Sequence, residues 1–326
     1  MAYLKNMNKF KHLAVMILAV TAGNLFAMGG KEVTPGNEGA NIAQVQSASQ
    51  TAAQAANAAT RAENVMKSLG AAYPYQIDRV EFRNGDWAAL LRGTWYYFAG
   101  GRLLPENLLA SASNYNPHGF YNYQAELPEW RTPSAEEQER LRNASAARNQ
   151  TQIRRSPHFY DNLWRARNRS EAYDRVKTMR FLGKSVTVHF MIMEELALVE
   201  ETILAAAKTD SSVQTWINNI SETAGWQWRN IAETDTRSYH AYGLAIDIIP
   251  RSYGGRETYW LWTQRNRADW WNVPYRSRYH PPDAVIKAFE KYGFIWGGKW
   301  LFYDTMHFEY RPEVLILSGM PPETRR

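Results

Sequence analysis

Seven histidines are spread through this 326-residue chain, and two of them stand where side chains could do chemistry together. In the stretch Ser238-Tyr239-His240-Ala241-Tyr242-Gly243-Leu244-Ala245-Ile246-Asp247, a histidine precedes a run that alternates like a strand. Ala245, Asp247 and Ile249 then face one side, and Leu244, Ile246 and Ile248 the other. A carboxylate among such apolar neighbours needs a partner or a metal ion, because an unpaired buried charge is expensive. Gly243 permits a tight bend that returns His240 towards Asp247. A catalytic zinc takes three protein ligands and keeps a fourth position for water. The third ligand expected here is His307, in "LFYDTMHFEY" at 301–310, which follows the Gly/Trp-rich "GFIWGGKW" and has an acid close by. That acid, Asp304, suits a general base for an attacking water. Glu309 shares strand parity with His307 and could instead orient it through a hydrogen bond. The chemistry implied is metal-assisted hydrolysis. His-x6-Asp alone also fits polar contacts at strand ends, and its spacing leaves both readings open.

The elements that must position these residues begin near Phe181. "KSVTVHF" leads into "MIMEELALVEETILAAA", whose apolar residues recur at helical spacing and predict an amphipathic helix packed on a sheet. His189, at that entry, reads as a structural histidine. The preceding 131–180 segment is strongly charged; Ser134 and Glu137 form a capping box that opens a helix to about Arg148. A second helix is expected from Tyr160 to Met179, making 131–180 a charged helical connector whose arginines read as a solvated face. From Tyr73 to Trp130, short aromatic and β-branched runs are broken by Asn84-Gly85, Gly100-Gly101, Pro105 and Pro117-His118-Gly119. This predicts a small β-containing module over 73–130, with a hairpin about Gly100-Gly101. Residues 28–72 are rich in Ala, Gln, Asn and Ser; the Ala-rich part can be helical but has almost no apolar face to pack, as in a linker, a tether or a marginal helix. The module carrying the histidines spans 181–326. Eight of the thirteen tryptophans follow residue 225; they suit either a groove wall or the packing of a long surface loop.

Residues 1–27 read as an export signal. Lys5, Lys9 and Lys11 precede the apolar run Leu13 to Ala22, and Ala27 is acceptable for cleavage. The run is shorter than the ~20 residues of a spanning helix, so a membrane tether is expected only if the segment stays uncleaved. The expected location is periplasmic or extracellular. Loss of three lysines and no acid takes the net charge from +6 to +3, a weak excess that does not argue for nucleic acid. With no cysteine, the chain has no disulfide framework, no thiolate nucleophile and no residue for lipoprotein acylation. The 13% aromatic content with a mean hydropathy of −0.52 fits a soluble fold with aromatic-rich surfaces or grooves.

"SYHAYGLAID", followed by "GFIWGGKW" and "DTMHFE", resembles the zinc metallopeptidases of family M15, the D-alanyl-D-alanine carboxypeptidase (VanY) and L-alanyl-D-glutamate endopeptidase group. The resemblance covers about residues 181–312. It implies a small α+β fold with a central antiparallel sheet and flanking helices, hedgehog-like, preceded here by the β-containing module and the helical connector. It also implies Zn2+ held by His240, Asp247 and His307, with Asp304 as catalytic base. An upstream arginine stabilises the oxyanion in this family; Arg229 in "WQWRNI" matches better than Arg237. The substrate implied is peptidoglycan stem peptide. The second motif has the endopeptidase wording Asp-x-x-His-Phe-Glu, with Met306 where Pro is usual. D,D-carboxypeptidase specificity and a non-catalytic wall-binding envelope protein are the alternatives. The chain lacks Ser-x-x-Lys, Gly-x-Ser-x-Gly and His-Glu-x-x-His, so it shows none of those other hydrolase signatures.

Overall fold

The computed structural model describes residues 56–323 except 128, 151–152 and 232–233. The apolar segment read as an export signal, and most of the expected tether, lie outside the described residues. None of the described helices is long and apolar enough to cross a membrane.

The chain first builds an antiparallel meander of four strands: β1 (Arg79–Arg83), β2 (Asp86–Leu91), β3 (Thr94–Tyr97) and β4 (Leu104–Pro105). Asn84-Gly85 and Arg92-Gly93 turn the first two hairpins, each with positive φ at both residues, the geometry that tight hairpins need. The hairpin about Gly100-Gly101 is β3 against β4, with Tyr97 opposite Leu104. Next comes the charged helix Ala135–Gln150. Its capping box is made: Ser134 Oγ accepts from the Glu137 N–H at 3.2 Å and Glu137 accepts from the Ser134 N–H at 2.8 Å.

Two expectations need correction. The stretch from Tyr160 to Met179 is not one helix. A helix at His158–Trp164 ends on Arg165, whose φ is 51°, and Asn168 caps a second, short helix at Arg169–Tyr173. The chain then extends as β5 (Val176–Phe181) and returns as β6 (Lys184–His189) through a Leu182-Gly183 turn. Residues 56–72, expected in the tether, form a helix that buries Ala62, Val65, Met66 and Leu69. Four apolar positions at i, i+3, i+4 and i+7 suffice because they close onto a core that the rest of the chain supplies.

The third sheet is antiparallel, in the order β7 (Ile220–Ala224), β8 (Ala245–Pro250), β10 (His307–Tyr310), β9 (Phe294–Trp296). The expected amphipathic helix is Met193–Ala207; it buries Leu196, Val199 and Ile203 beside Val285, Ile286 and Phe289 of the helix Asp283–Lys291. Leu244, Ile246, Ile248, Phe308 and Tyr310 join this core, and Phe289 stacks on Phe308 at 3.9 Å between ring centres. The fold is α+β. The other sheet face, free of these helices, carries Asp247, His307 and Glu309. Trp260, Trp270 and Trp271 pack with Val273, Phe302 and Tyr303 in a smaller cluster, so loop packing accounts for these three tryptophans.

Candidate active site

Strand register brings the two distant motifs together: His307 lies opposite Asp247, and Glu309 opposite the small Ala245. His240 arrives from a single helical turn, Tyr239–Tyr242, capped by Ser238 and ended by Gly243 with φ 73°. A side chain at Gly243 would stand 2.7 Å from the His189 nitrogen, so the position demands glycine for space as well as for φ. His189 itself is buried, receives the Met191 N–H at 3.2 Å and meets the Trp164 carbonyl at 3.2 Å; its role is structural.

Hydrogen bonds settle which ring atoms face inwards. His240 Nδ1 lies 2.7 Å from the Gly225 carbonyl, which can only accept, so Nδ1 carries the hydrogen. His240 Nε2 is the ring atom left facing the site: it is buried, makes no hydrogen bond among the described residues and lies 3.3 Å from Asp247 Oδ1. A proton or a metal ion between the two would satisfy both. On the other side, His307 Nε2 donates to Glu309 at 3.1 Å and Nδ1 meets Asp247 Oδ1 at 2.9 Å. Burial alone would lower the His307 pKa; the hydrogen bonds and charges of Asp247 and Glu309 outweigh it and draw the value up to about 10. A proton thus bridges His307 and Asp247 where a metal ion could replace it. Burial likewise opposes ionisation of Asp247, and the imidazoles of His240 and His307 overcome it, holding the carboxyl well below the usual range.

His240, Asp247 and His307 each offer a donor atom, and all three atoms lie within 4.8 Å of one another. Two imidazole nitrogens and a carboxylate oxygen suit zinc. The orphaned His240 Nε2 is what leaves the set open to a metal ion rather than closed as a hydrogen-bond network. Asp304 follows the same logic. Its Oδ1 is buried without a partner, and burial, with the charge of Asp247, pushes its pKa up to about 7.

The region around these residues matches a known family. Residues 232–310 fit the model of a peptidase family described as D-alanyl-D-alanine carboxypeptidase. That segment is similar to the M15 peptidases. Residues 65–120 match a domain of unknown function, and neither a curated protein nor a solved structure matches.

The M15 segment opens onto a cavity of about 1300 Å³, lined by His240, Asp247, Asp304, His307 and Arg229 among others. Among the described residues the Arg229 side chain bonds to near neighbours: its Nε donates to Gln227 at 3.1 Å, and Nη1 approaches the Asn230 carbonyl at 3.5 Å. Arg237 is committed elsewhere, paired with Asp161 and lying over the Trp228 ring at 4.4 Å. Met306 is buried and offers its N–H to the Asp304 carboxylate, which a proline there could not do. The cavity's remaining wall escaped the sequence reading. Tyr121, Trp130, Arg131, Arg140, Leu141, Arg155 and Tyr160 line it from outside the M15 segment, and no local spacing connects them to His240.

Proposed function

We propose that the chain is an exported zinc peptidase that hydrolyses amide bonds in peptidoglycan stem peptides. The observation that carries this is the convergence of His240, Asp247 and His307 within 4.8 Å, with the unpartnered Asp304 oxygen lining the same cavity. Held by His240 Nε2, Asp247 and His307 Nδ1, zinc would supply a Lewis acid that polarises the scissile carbonyl and acidifies the attacking water. Asp304, with its pKa near 7, takes the proton of that water and returns it to the leaving amine. Arg229 offers its guanidinium to the developing oxyanion. Glu309 fixes the His307 ring, and Gly225 fixes His240, so neither imidazole reorients during the reaction. The lysine-led apolar segment at 1–27 supports export.

The match to a D-alanyl-D-alanine carboxypeptidase family supports a second specificity, removal of terminal D-alanine, whereas Asp304-x-x-His307-Phe308-Glu309 supports the endopeptidase reaction. Retention of three ligands and an acid speaks against a purely wall-binding role. Mass spectrometry of digested muropeptides decides the bond: loss of one alanine marks the carboxypeptidase, and release of the stem below L-alanine marks the endopeptidase. The purified protein should hold one zinc, and His240→Ala should lose it. Asp304→Ala should slow digestion by roughly 10²- to 10⁴-fold; unchanged digestion by that variant sinks the assignment.

A further inference from the structure

The cavity that holds the His240, Asp247 and His307 cluster presents two further polar groups that no step above uses. Arg155 is anchored at its root: its backbone N–H donates to Thr236 Oγ1 at 3.1 Å and its Nε to the Pro117 carbonyl at 2.9 Å. It forms no ion pair with a carboxylate of the described residues, and Glu309, which bears on it from a distance, is already engaged by His307 and Arg311. Desolvation of this half-buried guanidinium, helped by the neighbouring Arg311 and opposed by Tyr239, Glu309 and Tyr160, lowers its pKa. Tyr160 is 3% exposed; its hydroxyl is buried, with no acceptor for its O–H among the described residues and only the Tyr239 hydroxyl bearing on its oxygen. Burial also pushes the phenol pKa up, so the group stays a neutral donor. Both residues line the cavity that holds His240 and His307. Tyr239 joins the two sites: its ring packs edge-on to Tyr160 at 5.8 Å between centres, and it directly precedes His240.

We propose that Arg155 and Tyr160 form a subsite for a free carboxylate of the peptide substrate, outside the family-matched segment. A guanidinium anchored through Nε keeps its terminal N–H groups for a planar acceptor, and the Tyr160 hydroxyl adds a further donor. Among the described residues no carboxylate pairs with Arg155, and the nearby Glu309 is taken up by His307 and Arg311. The inference rests on the peptidase reading, and it names the chemical feature by which that site would choose peptides: a carboxylate held at a fixed place relative to the scissile bond.

Binding without turnover tests it. Calorimetry on the full chain carrying Asp304→Asn uses three probes: the tetrapeptide L-Ala-γ-D-Glu-L-Lys-D-Ala, its glutamate α-amide and its C-terminal amide. One amidation should weaken binding by about 10- to 100-fold, which identifies the carboxylate held. Arg155→Gln should bind the free and that amidated peptide alike, Arg155→Lys should restore part of the preference, and Tyr160→Phe should reduce it. Circular dichroism of each variant should overlay the parent. Equal binding of all three peptides, absence of binding, or continued discrimination by Arg155→Gln overturns the subsite. A protein that digests muropeptides yet ignores amidation keeps the peptidase reading and loses this one. A protein that holds the carboxylate through Arg155 but cuts nothing does the reverse.

Discussion

Two buried atoms of the site, His240 Nε2 and Asp304 Oδ1, lack hydrogen-bond partners among the described residues. Such groups cost stability unless a ligand or water meets them, so they mark where chemistry is to be done. Glu309 is their counterpart, fully engaged with His307 on one oxygen and Arg311 on the other. Glu309→Gln keeps an acceptor for His307 Nε2–H but removes the charge, and zinc affinity should fall by about 10- to 100-fold, as for other partners that orient a metal-binding histidine. Chelator competition measures this; a loss as complete as that of His307→Ala would make Glu309 a ligand itself. Asp247 and His307 were legible as polar residues on apolar strand patterns, whereas His240 and Asp304, which lie outside the strands, were legible through the resemblance of the two motifs. Glu309 was legible as a partner by parity alone. Arg155 and Tyr160 were not, since each looks like any other polar or aromatic residue of a charged segment until the chain folds.

At the scale of elements, the sheet face is set by alternation, which the sequence displays, and the entry of His240 by close backbone approach, which it does not. Gly225 offers its carbonyl to His240 Nδ1 while its Cα lies so near β6 that an added Cβ would fall 2.1 Å from the Thr187 oxygen. Gly225→Ala must push this segment away from β6. It should cost about 1–3 kcal/mol, as overpacking does, and weaken zinc binding through the displaced carbonyl. Urea denaturation and a zinc titration on the same variant read both effects; a destabilised protein with unchanged zinc affinity would detach Gly225 from the site. The β5–β6 hairpin shows why element type was harder to read. β6 alternates in Val186, Val188 and their neighbours, but β5 exposes Lys177 and Arg180, and charges on a half-exposed strand resemble the solvated face of a helix. Only the Leu182-Gly183 turn with positive φ at both residues carried the hairpin.

Across the whole molecule, the segment before the M15 match is built into the site rather than tethered to it. Tyr123 donates to Glu290 at 2.6 Å and receives the Trp296 N–H at 3.0 Å; Trp300 donates to Tyr121, Arg311 to the Gly119 carbonyl, and Tyr73 to Glu313. Bonds between residues so far apart in sequence have no local pattern to betray them. Tyr123→Phe leaves the Trp296 N–H unsatisfied and should cost about 1–3 kcal/mol by denaturant titration; a neutral result would separate the two halves energetically. Acid sensitivity tests the shared core directly. Burial lowers the His189 pKa from 6.5 to about 4, and its Nδ1, acting as acceptor for Met191, must be unprotonated. Below pH 6.5 the unfolded chain gains a proton that the folded chain refuses, so stability is present above the unfolded pKa and falls with pH down to about 4. Between pH 7 and 5 the loss from this residue should be roughly 2 kcal/mol. Denaturant titrations across that range should show the decline in the wild type and a shallower one in His189→Gln. Parallel declines would move the acid sensitivity to other groups.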